Sequence, residues 1–207
     1  SEMLVQDFQH LRQTIICLIL VLLTACATAP ISSTIIQTLH DTSISRAPFA
    51  NVLIIGVAGD FESRALFERQ IVAHLADATG NASAYFTVVG RRPLFTRTAM
   101  ETAINSRNFD AVLFVREKGQ EREDFASGRP VASGFDLFNY DYPELNGGIS
   151  IEQAATITFV TELYSVAERK KIWSIDSLSF DNTTATELVN EQAAMIAQEI
   201  IKDGLLP

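Results

Sequence analysis

Cysteine is nearly absent from this 207-residue chain, which contains only Cys17 and Cys26. Both lie in or beside an apolar run near the N-terminus, so no disulfide can form within the remainder of the sequence. Histidine is also scarce, and His10, His40 and His74 are far apart in sequence. Because a structural zinc site needs about four cysteine or histidine ligands at close spacing, the sequence predicts no metal site.

Positive charge is scarce as well. The chain has 16 Lys and Arg against 25 Asp and Glu, which gives a formal net charge of −9. Nucleic acids and anionic lipid surfaces are bound through clustered Lys and Arg, so this balance argues against both as the main partner. The hydrophobic fraction of 47% is that of a globular protein and is compatible with one domain of ordinary size.

The sequence also lacks the short motifs that mark common reaction centres. It has no G-x-S-x-G nucleophile turn, no H-E-x-x-H helix and neither of the glycine-rich phosphate-binding patterns. In the glycine-bearing turn at residues 56–60, Asp60 would repel a phosphate. We therefore predict no catalytic residue and no cofactor, which leaves a reaction centre of unfamiliar type as the alternative.

One long hydrophobic run is present, TIICLILVLL at residues 14–23. Its ten residues match the h-region of a signal peptide and fall short of the about 20 that span a bilayer. A buried core helix would normally carry polar residues at helical spacing, and this run has no polar face. The pattern therefore predicts a signal peptide over residues 1–25, and an uncleaved anchor is the alternative.

The run is closed by Leu23, Thr24, Ala25 and Cys26, which resemble the lipobox of bacterial lipoproteins. The resemblance implies that signal peptidase recognises the first three residues, that the Cys26 sulfur receives a diacylglycerol, and that the new amino terminus is acylated. Several acyl chains anchor a soluble domain stably, whereas one chain binds marginally. The second residue after the cysteine is Thr28 rather than aspartate, which in the enterobacterial sorting pattern implies the periplasmic face of the outer membrane; inner-membrane anchoring is the alternative. A soluble cytoplasmic protein would require an unmodified Cys26.

The remainder of the chain divides into a linker and a domain. Residues 26–48 are rich in Ser and Thr and predict a lipid-anchored tether with a short ordered patch at Ile35 and Ile36. Residues 49–207 have the patterns of a periplasmic α/β domain. Its predicted elements are a buried strand at 51–58, a helix at 61–79 between Asp60 and Gly80, a strand at 84–89, a helix from Thr98 to about Arg107, a strand at 109–115, a hairpin of 155–166 with 172–180, and a helix from Thr184 to Gly204.

These elements predict a β-α-β-α-β sheet followed by a β-hairpin and a C-terminal helix, an α/β fold of the α+β variant. Short connections favour a mainly parallel sheet, with helices packed on it in two or three layers of a single domain. On the first helix, the charged residues have spacings suited to surface ion pairs; they are Glu62, Arg64, Glu68 and Arg69. Residues 117–150 are predicted to form a long loop.

The chain resembles a family of small, uncharacterised bacterial lipoproteins over about residues 51–204. The likeness rests on NVLIIGVAGDFESRALFERQIVAHL with its Arg-x-x-Phe-Glu helix start at 64–68, on FDAVLFV, and on the Lys-x-x-Trp-Ser pattern at 170–174. In topology the predicted domain is also similar to periplasmic modules of lipoproteins that assemble or service envelope machines, including the curli secretion pore and the N-terminal domain of TolB. The resemblance implies a lipid-anchored envelope protein and assigns no activity.

Two groups of residues are candidates for binding. Arginines that follow the second strand lie at the carboxyl edge of the predicted sheet, where open α/β folds bind ligands; they are Arg91, Arg92 and Arg97. They would bind an anionic ligand or an acidic partner, and a solvated charged loop is the alternative. The long loop carries an aromatic group that would form a partner surface: Phe135, Phe138, Tyr140 and Tyr142. The alternative is that the loop folds back over the sheet and buries these rings.

The sequence therefore predicts a lipid-anchored envelope protein that acts by binding or assembly rather than by catalysis. Its partner would be an envelope protein or a second copy of the same chain. A function from another class is the alternative, namely an envelope small-ligand-binding protein or hydrolase that uses the carboxyl edge of the sheet.

Overall fold

The computed structural model describes residues 33–41, 48–57, 60–79, 81–90, 95–117, 136–138, 156–180 and 184–206, all within one compact unit, Ser32–Pro207. The strands are β1 (Ser33–His40), β2 (Val52–Gly56), β3 (Ala82–Ala84), β4 (Ala111–Glu117), β5 (Thr156–Ser165) and β6 (Lys170–Phe180). The helices are α1 (Phe61–Thr79), α2 (Tyr85–Val89), α3 (Arg97–Ser106) and α4 (Ala185–Lys202). A single α/β domain, as the sequence predicts, is confirmed.

The strands form one mixed sheet in the order β1-β6-β5-β4-β2-β3. Strand β2 pairs in parallel with β3 and β4, whereas β4 with β5, β5 with β6, and β6 with β1 pair antiparallel. The β-α-β-α-β part is parallel, as its order predicts, because β2 pairs in parallel with both β3 and β4. The sheet as a whole is mixed. The predicted hairpin β5-β6 joins the sheet beside β4 and adds antiparallel pairs, and β1 adds a further one.

Helices cover both faces of the sheet, so the domain has three layers. On one face α1 and α4 pack, with Ile71 and Ile196 among their fully buried side chains. On the other face, α2, α3 and residues 137–138 pack, with Met100 of α3 in the same core cluster as Phe114 of β4. Strands β2 and β4 lie between these layers, which explains why their sequences are continuous apolar runs.

Three helix ends follow the sequence signals. The Asp60 side chain accepts a hydrogen bond of 2.8 Å from the Ser63 N–H at the start of α1, and this bond holds the pKa of Asp60 below its ordinary value. The Thr184 hydroxyl accepts from the Glu187 N–H at 3.2 Å in the predicted capping box. After α4, Gly204 has φ of 70°, a left-handed conformation that favours glycine.

Two predicted elements differ from the observed ones. Of the predicted second strand, 84–89, only Ala84 lies in a strand: β3 is Ala82–Ala84, and residues 85–89 form α2, which the chain leaves at Gly90, where φ is 86°. The cap of helix α3 lies two residues before the predicted cap Thr98: it is Thr96, whose hydroxyl accepts from the Ala99 N–H at 3.2 Å.

Strand β1 lies inside the segment for which the sequence predicts a tether. The ordered patch predicted at Ile35 and Ile36 is an eight-residue strand that pairs with β6 from Ser33↔Ser179 to His40↔Trp173. Its burial is low, so its apolar pattern is weak in sequence. In the part of the chain that the structure describes, no helix has the length and apolar content to cross a membrane.

Candidate functional site at the carboxyl edge of the sheet

The carboxyl end of β2 is closely covered by the first turns of α1. Strand β2 ends at Gly56, and Arg64 and Glu68 of α1 lie directly against it. A Cβ atom at Gly56 would be 3.4 Å from Glu68 Cγ and 3.6 Å from the Arg64 carbonyl oxygen. Glycine at the strand end therefore lets the helix approach the sheet, and it brings two charged side chains into the interior.

Glu68 is fully buried. Its Oε1 accepts a hydrogen bond of 3.1 Å from the Gly56 N–H, and its Oε2 accepts one of 2.9 Å from the Phe86 N–H. Burial raises the pKa of Glu68 from its ordinary 4.5 to about 7, although these hydrogen bonds and the Arg64 guanidinium act to lower it. The carboxyl group therefore joins β2 to α2 and can change its protonation near neutral pH.

Arg64 is 6% exposed and lies between two aromatic rings. Its guanidinium carbon is 5.5 Å from the ring centroid of Phe61 and 5.2 Å from that of Phe95. Its Nε lies 3.9 Å from Glu68 Oε1, an ion pair longer than a hydrogen bond, and has no hydrogen-bond partner among the described residues. Cation–π contacts contribute up to about 2 kcal/mol when a cation is desolvated, so the rings partly replace its lost hydration.

Tyr85 completes this buried group, which we call the edge cluster (Arg64, Glu68 and Tyr85). Its ring stacks on Phe95 with centroids 5.9 Å apart, and its hydroxyl has no hydrogen-bond partner in the described ranges. Burial raises the pKa of Tyr85 from 10.0 to about 12, so the hydroxyl stays protonated. Within those same ranges, no three His, Cys, Asp or Glu residues are placed to hold a metal ion.

The edge cluster makes folding stability depend on pH. Because Glu68 has a pKa of about 7 when folded and 4.5 in its ordinary state, the folded protein binds this proton more tightly between those values. We expect the free energy of unfolding to fall as pH rises from 5 to 8, by at most about 3 kcal/mol from this group. Chemical unfolding of the wild type and of Glu68→Gln across this range measures the effect; a wild-type-minus-variant difference that is constant with pH would contradict it.

A second charged cluster lies on the sheet under Phe138. Glu162 of β5 is 1% exposed; its Oε1 accepts from Lys171 Nζ at 2.8 Å, and its Oε2 accepts from the Tyr164 hydroxyl at 3.0 Å. Arg116 Nε is 3.8 Å from the same carboxylate. Burial and the Glu162 charge raise the pKa of Tyr164 well above its ordinary value. These contacts join β4, β5 and β6 on one face, and they supply a structural ion network.

Strand β1 forms the edge of the sheet and is the most exposed strand. Ile36 is 58% exposed and Leu39 is 55% exposed. An open groove of about 260 Å³ lies at the end of this strand; it is lined by Leu39, His40, Asp41, Lys171, Ile172, Trp173 and Ser174. The described chain therefore presents an apolar edge as well as the buried edge cluster.

Comparison with known proteins gives a distant structural likeness. No protein-family model matches the chain, and no curated protein matches it. The chain is similar to PelC. The PelC dodecamer from Paraburkholderia phytofirmans aligns with a TM-score of 0.42 and 10% sequence identity, over 79% of this chain and 94% of that chain. A dodecamer of a singly substituted PelC from the same organism aligns with a TM-score of 0.40 and 12% identity, over 79% and 95% of the respective chains.

Of the predicted anion-binding arginines, one is described. Arg97 is the first residue of α3 and is exposed. Arg91 and Arg92 lie outside the described residues, as do the lipobox residues 23–26. An anion site at this edge of the sheet therefore stays a prediction.

Of the predicted aromatic partner surface, Phe138 is described, and it is 3% exposed. Its ring meets Tyr164 edge to face with centroids 6.0 Å apart, and the Arg169 guanidinium carbon lies 4.6 Å from its centroid. The Phe138 ring is therefore covered by the protein itself. This agrees, for Phe138, with the alternative prediction that the loop folds back over the sheet and buries these rings. The other three aromatic residues of that surface lie outside the described ranges.

The sequence spacing predicts Arg64 and Glu68 on the surface, and this is wrong for both. Arg64 lies seven residues before Ile71, and Glu68 lies seven residues before Leu75. Ile71 and Leu75 are both fully buried apolar residues of α1. At helical spacing a separation of seven returns to the same face, so the stripe that predicts the buried face of α1 also contains these two charges. Glu62 and Arg69, which are out of phase with the stripe, are exposed as expected.

Proposed function

We propose that this chain is an envelope lipoprotein, anchored through an acylated Cys26, whose folded domain acts in binding or assembly. The observation that carries the anchoring is the lipobox directly after a ten-residue apolar run. In this proposal residues 1–25 are the signal peptide and the periplasmic face of the outer membrane is the location.

The position of β1 refines the proposed tether. Cys26 and Ser33, the first residue of β1, are seven residues apart, so a fully extended chain between them spans at most about 25 Å. A lipid on Cys26 would therefore hold the exposed edge of the sheet close to the membrane surface. Partners that share this surface could then meet the strand that carries Ile36 and Leu39.

The alternative of catalysis or small-ligand binding at the carboxyl edge has less support. The Glu68 carboxylate there is fully buried and accepts two backbone hydrogen bonds from the protein itself. Arg64 is paired with it and flanked by rings. Such an arrangement stabilises the junction of β2, α1 and α2, and the exposed apolar strand is the feature that favours a binding role.

The anchoring is tested by the intact mass of protein purified from bacterial membranes. We expect a chain that begins at Cys26 and carries acyl groups, and we expect the Cys26→Ala variant to retain the signal peptide and lack the added mass. Cys17→Ala is the matched control, because it changes the other cysteine and should leave processing intact. A full-length, unacylated wild-type chain in the soluble fraction would overturn the proposal.

A further inference from the structure

We propose that a second copy of this chain pairs with the outer edge of β1, so that two sheets join into one across a two-fold axis. This inference rests on the proposed assembly function and names its partner. It does not depend on the lipid, because the surface that it uses lies entirely in the folded domain.

Among the described strands, β1 has a neighbour on one side only. The inner edge pairs with β6, and in the described residues no strand lies on the other side. Natural proteins usually protect long edge strands with lysine, proline, a β-bulge or a covering element. The sequence STIIQTLH has neither Lys nor Pro, and a bulge between Ile35 and Gln37 leaves the stretch from Gln37 to His40 regularly paired.

The same edge carries exposed apolar side chains. Ile36 and Leu39 expose more than half of their surface, and Ile201 on α4, at 39%, is the third large hydrophobic residue exposed in the described ranges. Two such side chains on an edge strand add apolar contact to backbone hydrogen bonding, which is the combination that strand-addition interfaces use.

A groove that can hold an apolar side chain lies beside β1. The groove of about 260 Å³ lies over the paired ends of β1 and β6; its apolar lining is Leu39, Ile172 and Trp173, and its polar lining is His40, Asp41, Lys171 and Ser174. Its volume admits a leucine or isoleucine side chain. In strand addition, pockets next to the edge take side chains of the incoming strand and give the pairing its specificity.

A second copy of this chain fits the outer edge of β1 better than an unrelated peptide would. A two-fold interface requires one patch that is complementary to itself, and β1 supplies both the projecting Ile36 and Leu39 and the adjoining groove. The strand contains no Asp, Glu, Lys or Arg, so two copies of a chain with net charge −9 bring no like charges together along it. The opposite edge, β3, has three residues and offers a much shorter partner.

The stoichiometry of the full chain, measured by native mass spectrometry from detergent over a dilution series, tests the inference. We expect the wild type to dimerise and Leu39→Lys to raise the dimer dissociation constant by more than about tenfold, because the ammonium group would be desolvated at the interface. Ile201→Lys is the matched control, since it changes an exposed apolar residue on α4 and should leave the constant unchanged. A monomeric wild type, or equal losses in both variants, would overturn the proposal.

A cysteine at Thr38 tests an antiparallel pairing whose two-fold axis passes beside this residue, near the middle of the regularly paired stretch from Gln37 to His40. In a Cys17→Ala, Cys26→Ala background, Thr38→Cys is expected to form a disulfide between two copies, and Thr102→Cys on the exposed face of α3 is not. Failure of Thr38→Cys to link two copies, or linkage of both variants alike, would contradict the β1 interface. This background lacks Cys26, so the crosslink does not depend on the lipid. If the Thr38→Cys chain forms a disulfide-linked dimer and the wild type is unacylated, the proposed anchoring is refuted and the proposed β1 interface is supported.

Discussion

Replacement of Glu68 by alanine is expected to lower the free energy of unfolding by about 3–5 kcal/mol. The change removes the acceptor of the Gly56 and Phe86 N–H groups and leaves the 6%-exposed Arg64 without its carboxylate. A buried charge without its partner and two unsatisfied backbone donors each cost free energy. Urea unfolding followed by circular dichroism measures the loss.

Glu68→Gln is the control for this variant. Glutamine keeps the size of the side chain and one acceptor oxygen, so one of the two backbone hydrogen bonds survives and no cavity forms. We expect a loss clearly smaller than that of alanine, and smallest at pH 8, where the wild-type carboxylate is ionised and least stable. If alanine costs no more than glutamine, the carboxylate does not hold the junction of β2 and α2.

Replacement of Trp173 by alanine is expected to cost about 3–5 kcal/mol. Trp173 is 1% exposed in the core between β6 and α4, and its Nε1–H donates a hydrogen bond of 2.7 Å to Asp203 at the C-terminal end of α4. The variant opens a large cavity, because the neighbouring side chains relax only in part. Thermal unfolding of the purified chain provides the measurement.

Asp203→Ala separates the packing of Trp173 from its hydrogen bond. This variant leaves the indole in place and removes its acceptor, so we expect a loss of about 1–2 kcal/mol. A loss from Asp203→Ala as large as that from Trp173→Ala would show that the hydrogen bond, rather than the filled volume, accounts for the role of Trp173.

Those parts of the fold with strong periodic patterns could be predicted from the sequence. The buried run that becomes β2, the stripe of Ile71 and Leu75 on α1, and the alternating hairpin β5-β6 each bury one or two whole faces. Burial of a face imposes its period on the amino-acid sequence, so the pattern of apolar residues alone is enough to recognise these elements.

Strand β1 and α2 could not be predicted in the same way. β1 buries little, and its partner β6 follows it by more than a hundred residues, so its stability comes from backbone pairing that leaves no clear period. Helix α2 begins where the Phe86 N–H meets the Glu68 carboxylate, a contact between distant residues. Its sequence, YFTVV, has the composition of a strand.

The edge cluster is not apparent in the sequence, because charged residues are ordinarily exposed. Arg64 and Glu68 fit the spacing of a surface ion pair, and they also fit the buried stripe of α1. The choice between these depends on Gly56, which allows the helix to come close, and on Phe61 and Phe95, which cover the guanidinium. Such information is distributed over several elements, and no single segment of sequence contains it.

The pairing of Ser33 with Ser179 also determines when β1 can join the sheet during synthesis. In a chain made from its N-terminus, β1 emerges long before β6 exists, and non-local pairs form late. Until residues 170–180 emerge, the segment just after Cys26 has no strand to join. The outer edge of the sheet is therefore completed only after most of the chain has been made.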